Sequence, residues 1–283
     1  MRNSKSLSLK TAVVCASLIA GGAIAANSAQ ANPFRTNYTA DLSGSNLVKG
    51  NIWLDSVVLE NGETIDQFSV VQSAKIVSND LYTGGNTGAA SADMGDLATV
   101  GLSQERVNEA GVVAALGNLN LNSIIDTEDR GSFAIDLFFD KALDNLFVWE
   151  RGQNSKLKVQ ALDATGSLIG NALTINSRDA RQNGGQGING WTDAGFSIDT
   201  LEIGRAQKVA SLGISMADFG IDAPVSGVRF ISERGFNGPD WKFVGASAER
   251  NNPPASVPEP GTLAGLAVVC GMFAASRRRK ASQ

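Results

Sequence analysis

The residues whose types and spacing could do chemistry in this chain are chiefly carboxylates. There is no histidine and there are two cysteines, so Ser-His-Asp and Cys-His nucleophilic sites, His-ligated zinc and cysteine zinc clusters are excluded. The densest acidic run is Asp126-Thr127-Glu128-Asp129-Arg130-Gly131. Carboxylates packed this closely suit a hard cation, and Asp126, Glu128 and Asp129 are candidate ligands of a Ca²⁺ ion, with Asn122 or Asp240 as further donors, second to the reading of the run as a solvated turn. The run is not an EF-hand loop, which wants Asp or Asn where Arg130 stands and Glu where Leu137 stands. A solvated turn with Arg130 pairing locally is the other reading. A second acidic pair, Asp93 and Asp96, lies beside a Gly- and Ser-rich stretch that reads as a loop.

Glycoside hydrolysis needs two carboxylates about 5–10 Å apart across a sugar. Asp136 and Asp140, on one strand, would stand roughly 13 Å apart, too far for a retaining pair. Gly185-Gln186-Gly187-Ile188-Asn189-Gly190 has dinucleotide-fingerprint spacing, but no strand precedes it and no helix follows, so it reads as a surface loop. Sugar recognition without catalysis would use aromatic faces. Trp149 and Trp241 sit in apolar runs and read as core. Trp191 follows the Gly-rich stretch and reads as the exposed aromatic, with Arg151 and Asn154 on a neighbouring loop at one end of the fold.

The elements that must position these residues read as strands. In Phe133–Phe139 the odd-numbered residues form one apolar face, and Leu146-Phe147-Val148-Trp149 is a short apolar run. Leu157, Val159 and Ala161 alternate with Lys158 and Gln160, and Val228–Ile231 and Trp241–Val244 repeat the style. Asn61-Gly62 predicts a hairpin between Ile52–Glu60 and Thr64–Val71, Asp163–Gly166 predicts another, and Gly238-Pro239-Asp240 breaks the chain before Trp241. One helix is predicted over Ser103–Leu116, with Ser103 as its N-cap. The expected fold class is all-β: an antiparallel β-sandwich, jelly-roll-like, over residues 32–250.

The two ends read as addresses. Arg2, Lys5 and Lys10 precede an uncharged, mostly apolar stretch from Thr11 to Ile24, and Ala29 and Ala31 occupy the positions a signal peptidase reads. Residues 1–31 therefore read as a secretory signal peptide. Residues 251–256 form a Pro- and Asn-rich linker. Val257-Pro258-Glu259-Pro260 follows, then the apolar stretch Gly261–Ala275, then Arg277-Arg278-Arg279-Lys280. Fifteen helical residues reach roughly 22 Å against a hydrocarbon core of roughly 30 Å, so this transmembrane helix needs snorkelling arginines to serve as a temporary inner-membrane anchor. Four terminal cations hold that end cytoplasmic.

Removing both ends removes both cysteines, leaving the body without a disulfide. Seven of the 24 cations and none of the 28 acids lie in residues 1–31 and 261–283, so residues 32–260 carry 17 cations and a formal charge of −11. That sign argues against nucleic acid.

The order Val-Pro-Glu-Pro, apolar helix, arginine cluster resembles a PEP-CTERM sorting signal over residues 257–283. The resemblance implies a membrane enzyme, exosortase, that recognises Val257, Pro258, Glu259, Pro260 and the helix flanked by Arg277, Arg278 and Arg279, and removes the tail. The body is similar to a galactose-binding-type jelly roll and to cyanobacterial exosortase-dependent surface proteins, through Ala115-Leu116-Gly117, Phe138-Phe139-Asp140, Asn145–Glu150 and Gly238–Val244. The implied function is a non-enzymatic secreted surface or extracellular-matrix protein, with signal peptidase, exosortase, the inner membrane and exopolysaccharide as partners. The alternatives are a carbohydrate-binding module and a glycoside-acting enzyme that uses carboxylates.

Overall fold

The computed structural model describes residues 33–41, 50–81, 90–94, 106–177, 190–199 and 205–248. The signal peptide, the sorting tail and Gly185–Ile188 lie outside them. The strands are β1 (Phe34–Asp41), β2 (Asn51–Leu59), β3 (Thr64–Ile65), β4 (Phe68–Ser69), β5 (Val71–Asn79), β6 (Ala90–Met94) and β7 (Ser123–Thr127). They continue with β8 (Phe133–Arg151), β9 (Leu157–Leu162), β10 (Leu168–Ile175), β11 (Thr192–Ile198), β12 (Gln207–Ser215), β13 (Val225–Ser232) and β14 (Trp241–Ser247). One helix, α1 (Glu109–Leu116), and one 3-10 turn (Met216–Phe219) complete the described elements.

Strand β8 organises the fold. It runs for 19 residues and absorbs both apolar runs that the sequence separates, Phe133–Phe139 and Leu146–Trp149. Its first half pairs with β5 on one side and β13 on the other. Its second half pairs with β12 and β14. Between the halves Asp140, Lys141 and Ala142 are exposed, and the strand changes its paired neighbours there. All strand pairs are antiparallel, and β14 in turn carries β4 and β7, with β6 beyond β7. β10 and β9 extend the sheet past β13.

The expected sandwich is present, with a third layer that periodicity did not show. The small sheet β1-β2-β3 covers the outer face of the second half of β8. Leu146 and Val148 enter the main core with Ile135, Leu212, Trp241 and Phe243. Phe147 and Trp149 enter a second core with Phe34, Leu54, Val57 and Val244. A strand buried on both faces loses its alternation, which is why Leu146–Trp149 is continuously apolar. Phe34 closes this interface edge-on, 4.9 Å from Phe147 and 5.4 Å from Trp149 between ring centroids.

The turn predictions hold. Gly62 adopts φ +86° in the β2–β3 hairpin. In the β9–β10 hairpin, Asp163 Oδ1 accepts from the Thr165 and Ser167 amides. The predicted Thr64–Val71 strand is divided among β3, β4 and the start of β5. The helix is shorter than expected: Ser103 lies outside the described residues, and Asn108 is the N-cap, its Oδ1 accepting from Gly111 N at 2.8 Å. Asp93, assigned to a loop by composition, lies in β6, which pairs with β7.

Two polar features hold the layers together. Asn120 Oδ1 accepts from Ile52 N at 2.9 Å, and Asn122 Nδ2 donates to Gly50 O at 2.6 Å, tying β2 to the segment before β7. Lys242 is fully buried, and its ammonium donates to Ala115 O at 2.7 Å and Asn118 Oδ1 at 3.1 Å. The last turn of α1 has no basic residue of its own, so a lysine from a neighbouring strand supplies a donor to a carbonyl at the helix C-terminus. Burial drives the Lys242 pKa well below the ordinary lysine value.

Candidate functional site

The charged residues of the sandwich converge at one end. Glu150 and Arg151 close β8, Asp126 stands near the end of β7, and Asp240 immediately precedes β14. Because Trp241 pairs with Glu150 on one side and Ile125 on the other, all four acidic and basic groups come to adjacent rungs. The Arg151 side chain is only 1% exposed. It donates to Asp240 Oδ2 through Nη2 at 3.0 Å and Nε at 3.2 Å, and lies 3.5 Å from Asp126 Oδ1. Asp240 Oδ1 also accepts from Thr127 N at 3.2 Å, and its carbonyl accepts from Arg151 N at 2.8 Å.

Two carboxyls therefore share one guanidinium, and the carboxyl of Glu150 is buried on the adjoining residue. Burial pushes Glu150 up to about 8 from 4.5, against the Gln153 amide, the Ser155 hydroxyl and the Arg151 charge. Asp240 is raised well above the usual carboxylate range, first by burial and next by Asp126, with Arg151 opposing. Burial and mutual repulsion both act against negative charge on these carboxyls, and the single guanidinium opposes them. Glu150 Oε2 accepts from Gln153 N at 2.5 Å, while Glu150 Oε1 and the neighbouring Trp241 Nε1 have no partner.

The chain is bent to close this end. Gln153 and Asn237 are the non-glycine residues with positive φ among the described residues, at 64° and 63°, and both belong to the loops around the cluster. Such conformations persist where surroundings over-determine them. Ser155 Oγ donates to Asn237 O at 2.6 Å, and Gln153 Nε2 donates to Val209 O at 3.2 Å. Gly238, at φ +47°, lies so flush on the turn after β7 that a Cβ would meet Thr127 O at 2.1 Å. Gly238→Ala is expected to destabilise the fold by about 2 kcal/mol, combining a disfavoured φ with overpacking. Chemical denaturation of the two chains measures it, and a change under about 0.5 kcal/mol would contradict this packing.

The predicted site residues are placed differently from their expectation. Trp191 is not an exposed platform: it is 1% exposed, belongs to the main core, and donates through Nε1 to Ser155 O at 2.7 Å. Arg151 is spent on Asp240 and Asp126, and of that trio only Asn154 faces solvent. The candidate Ca²⁺ ligands are spread over the end of β7 and the turn after it. Asp126 is buried against Arg151, Glu128 is half-buried and Asp129 exposed on the turn, and no group of three or more Cys, Asp or Glu among the described residues is arranged to hold a metal ion. Asp136 is paired with Arg229. Trp149 and Trp241 are core, as expected. Glu150 and Lys242 carried no local signal of their burial. The one available clue was a charged residue adjoining an apolar strand run.

Beyond the folded body, the family model described as the PEP-CTERM protein-sorting motif matches residues 256–280. The chain carries a PEP-CTERM sorting signal. The PEP-CTERM motif indicates an exosortase-sorted secreted surface protein, with export, transient membrane anchoring and processing by exosortase. Val257, Pro258, Glu259, Pro260, Arg277, Arg278 and Arg279 all fall inside the match, and all lie outside the described residues, as do Ala29 and Ala31. No helix among the described residues is long and apolar enough to cross a membrane. No curated protein and no solved structure matches the chain, so the galactose-binding likeness gains no support from them.

Proposed function

We propose that this PEP-CTERM protein is a non-enzymatic component of the cell envelope or exopolysaccharide. Its N-terminal signal is removed by signal peptidase after Ala31, its tail parks the body at the inner membrane, and exosortase releases it. The sorting motif at residues 256–280 is the observation that carries the reading. Among the described residues, the buried carboxylates at this end are engaged in holding the fold, which supports the reading. Asp126 and Asp240 meet on a single guanidinium, a contact rather than the separation of about 5–10 Å that glycoside cleavage uses. Glu150 is fully buried, out of reach of a polymer.

The test is the intact mass of the protein recovered from culture medium. A mass lacking residues 1–31 and the tail beyond the Val257–Pro260 motif is expected, and Glu259→Gln is expected to move the protein to the membrane fraction. Full-length chain accumulating in the cytosol would overturn the reading.

A further inference from the structure

The first strand of the body begins next to the segment that export removes. Two residues, Asn32 and Pro33, separate Ala31 from Phe34, where β1 starts. Fully extended, they carry the chain at most about 11 Å from Ala31 to Phe34. Phe34 is 9% exposed and belongs to the second core with Leu54, Val57, Phe147 and Trp149. Two residues further, Thr36 Oγ1 accepts from the buried Trp149 Nε1 at 3.0 Å. Pairing with β2 runs from Phe34 opposite Leu59 to Asp41 opposite Asn51. Asn37 Nδ2 adds a bond to Ser56 Oγ at 2.9 Å. Strand β1 is therefore seated from its first residue, by ring contacts, a backbone ladder and side-chain hydrogen bonds.

Recognition of a peptide as extended backbone needs its amides and carbonyls free to pair with the receptor. A peptidase that cuts between Ala31 and Asn32 must hold the residues on both sides of that bond in this way. With β1 seated, the chain has only Asn32 and a half-buried Pro33 to offer before Phe34. Phe34 is then packed edge-on against Phe147 and Trp149 and committed to the ladder with β2. A span of about 11 Å leaves no room for an enzyme wall between the scissile bond and the folded body.

We propose that the signal peptide is removed before β1 seats, and that a chain closing its second core first becomes a precursor that signal peptidase cannot cut. Water hydrolyses the Ala31–Asn32 amide, leaving a carboxylate on Ala31 and a new amine on Asn32, and β1 docks afterwards. The other end is built differently. Strand β14 ends at Ser247 and Val257 lies ten residues further, a reach of up to about 35 Å. Exosortase therefore works on a body that has already folded, and the two cuts fall on opposite sides of folding. The inference rests on the signal-peptide reading above.

The full-length precursor in detergent, treated with purified signal peptidase, tests it. Diluted from urea directly into the enzyme, the precursor is expected to be cut after Ala31. Refolded first, with tryptophan fluorescence confirming the fold, it should be cut at least about tenfold more slowly, because cutting then waits for β1 to open. Inserting about eight Gly and Ser residues between Pro33 and Phe34 lengthens the reach by more than 20 Å, and should bring the refolded chain within about twofold of the unfolded one. Phe34→Ala should speed cutting of the refolded precursor several-fold while leaving the unfolded rate unchanged. Equal rates for the refolded and unfolded parent, or an insertion that leaves the refolded chain as resistant as the parent, would overturn the inference and leave the signal-peptide reading intact. An unfolded chain that is not cut after Ala31 would overturn that reading, and the inference with it.

Discussion

Replacing Arg151 with methionine is expected to cost the fold about 3–5 kcal/mol at pH 7. The guanidinium stands 3.0 Å from Asp240 and 3.5 Å from Asp126, and its side chain is 1% exposed. Methionine fills much of the same space, so the loss is not chiefly one of packing. It arises because two carboxyls are left without their cation in a site from which water is nearly excluded. The carboxyls can answer by taking up another proton, so the penalty should shrink as the pH falls. Urea denaturation of both chains at pH 7 and pH 5 checks both parts. Arg151→Lys should fall between, since an ammonium keeps the charge but not the two-pronged contact to Asp240. A methionine variant within about 0.5 kcal/mol of the parent at pH 7 would show that the cluster does not hold this end of the sandwich together.

Glu150→Gln should act in the opposite direction above neutrality. The folded pKa of Glu150 is about 8 and its ordinary value 4.5. Between those values the folded chain holds a proton that the unfolded chain has released. The contribution of this group to stability is therefore fully present below pH 4.5 and is lost as pH rises through about 8. Over that window the loss is roughly 5 kcal/mol, an upper figure because its neighbours titrate with it. Glutamine is neutral at every pH and its amide oxygen can still accept from Gln153 N. The variant should be more stable than the parent at pH 9, with the advantage vanishing near pH 5. Lys242 works with the reverse sign: its lowered pKa makes its contribution present at high pH and lost as pH falls. The difference between Glu150→Gln and the parent, measured across pH, separates the two. Parallel pH profiles would mean that Glu150 is ionised in the folded chain.

The strands were largely readable because their pattern is local. Alternation in Phe133–Phe139 and Leu157–Ala161, and Gly turns after β2 and β9, reflect periodicity and φ requirements that a few residues display by themselves. The third layer was not readable. The small sheet on Phe147 and Trp149 shows only as missing alternation in Leu146–Trp149, a signal shared by any short buried strand. The helix start was misplaced because a Ser and an Asn are equally good caps, and only the packing of α1 chose Asn108.

The site residues divide in the same way. A sorting signal is read by another protein as a contiguous stretch, so the order of its parts in residues 257–280 identified it without any fold. A cluster drawn from β7, β8 and the approach to β14 has no such signature. Asp126, Arg151 and Asp240 are 25 to 114 positions apart in the chain, and antiparallel pairing of β14 between β7 and β8 brings them to adjacent rungs. Whether Trp191 met solvent depended on which layer covered it, a matter of tertiary packing alone. Sequence by itself determined the sorting signal and most of the strands, because both are written in short segments. The tertiary structure decided which charges and which aromatic rings lost their water, because burial is a property of neighbours that the chain brings from far away.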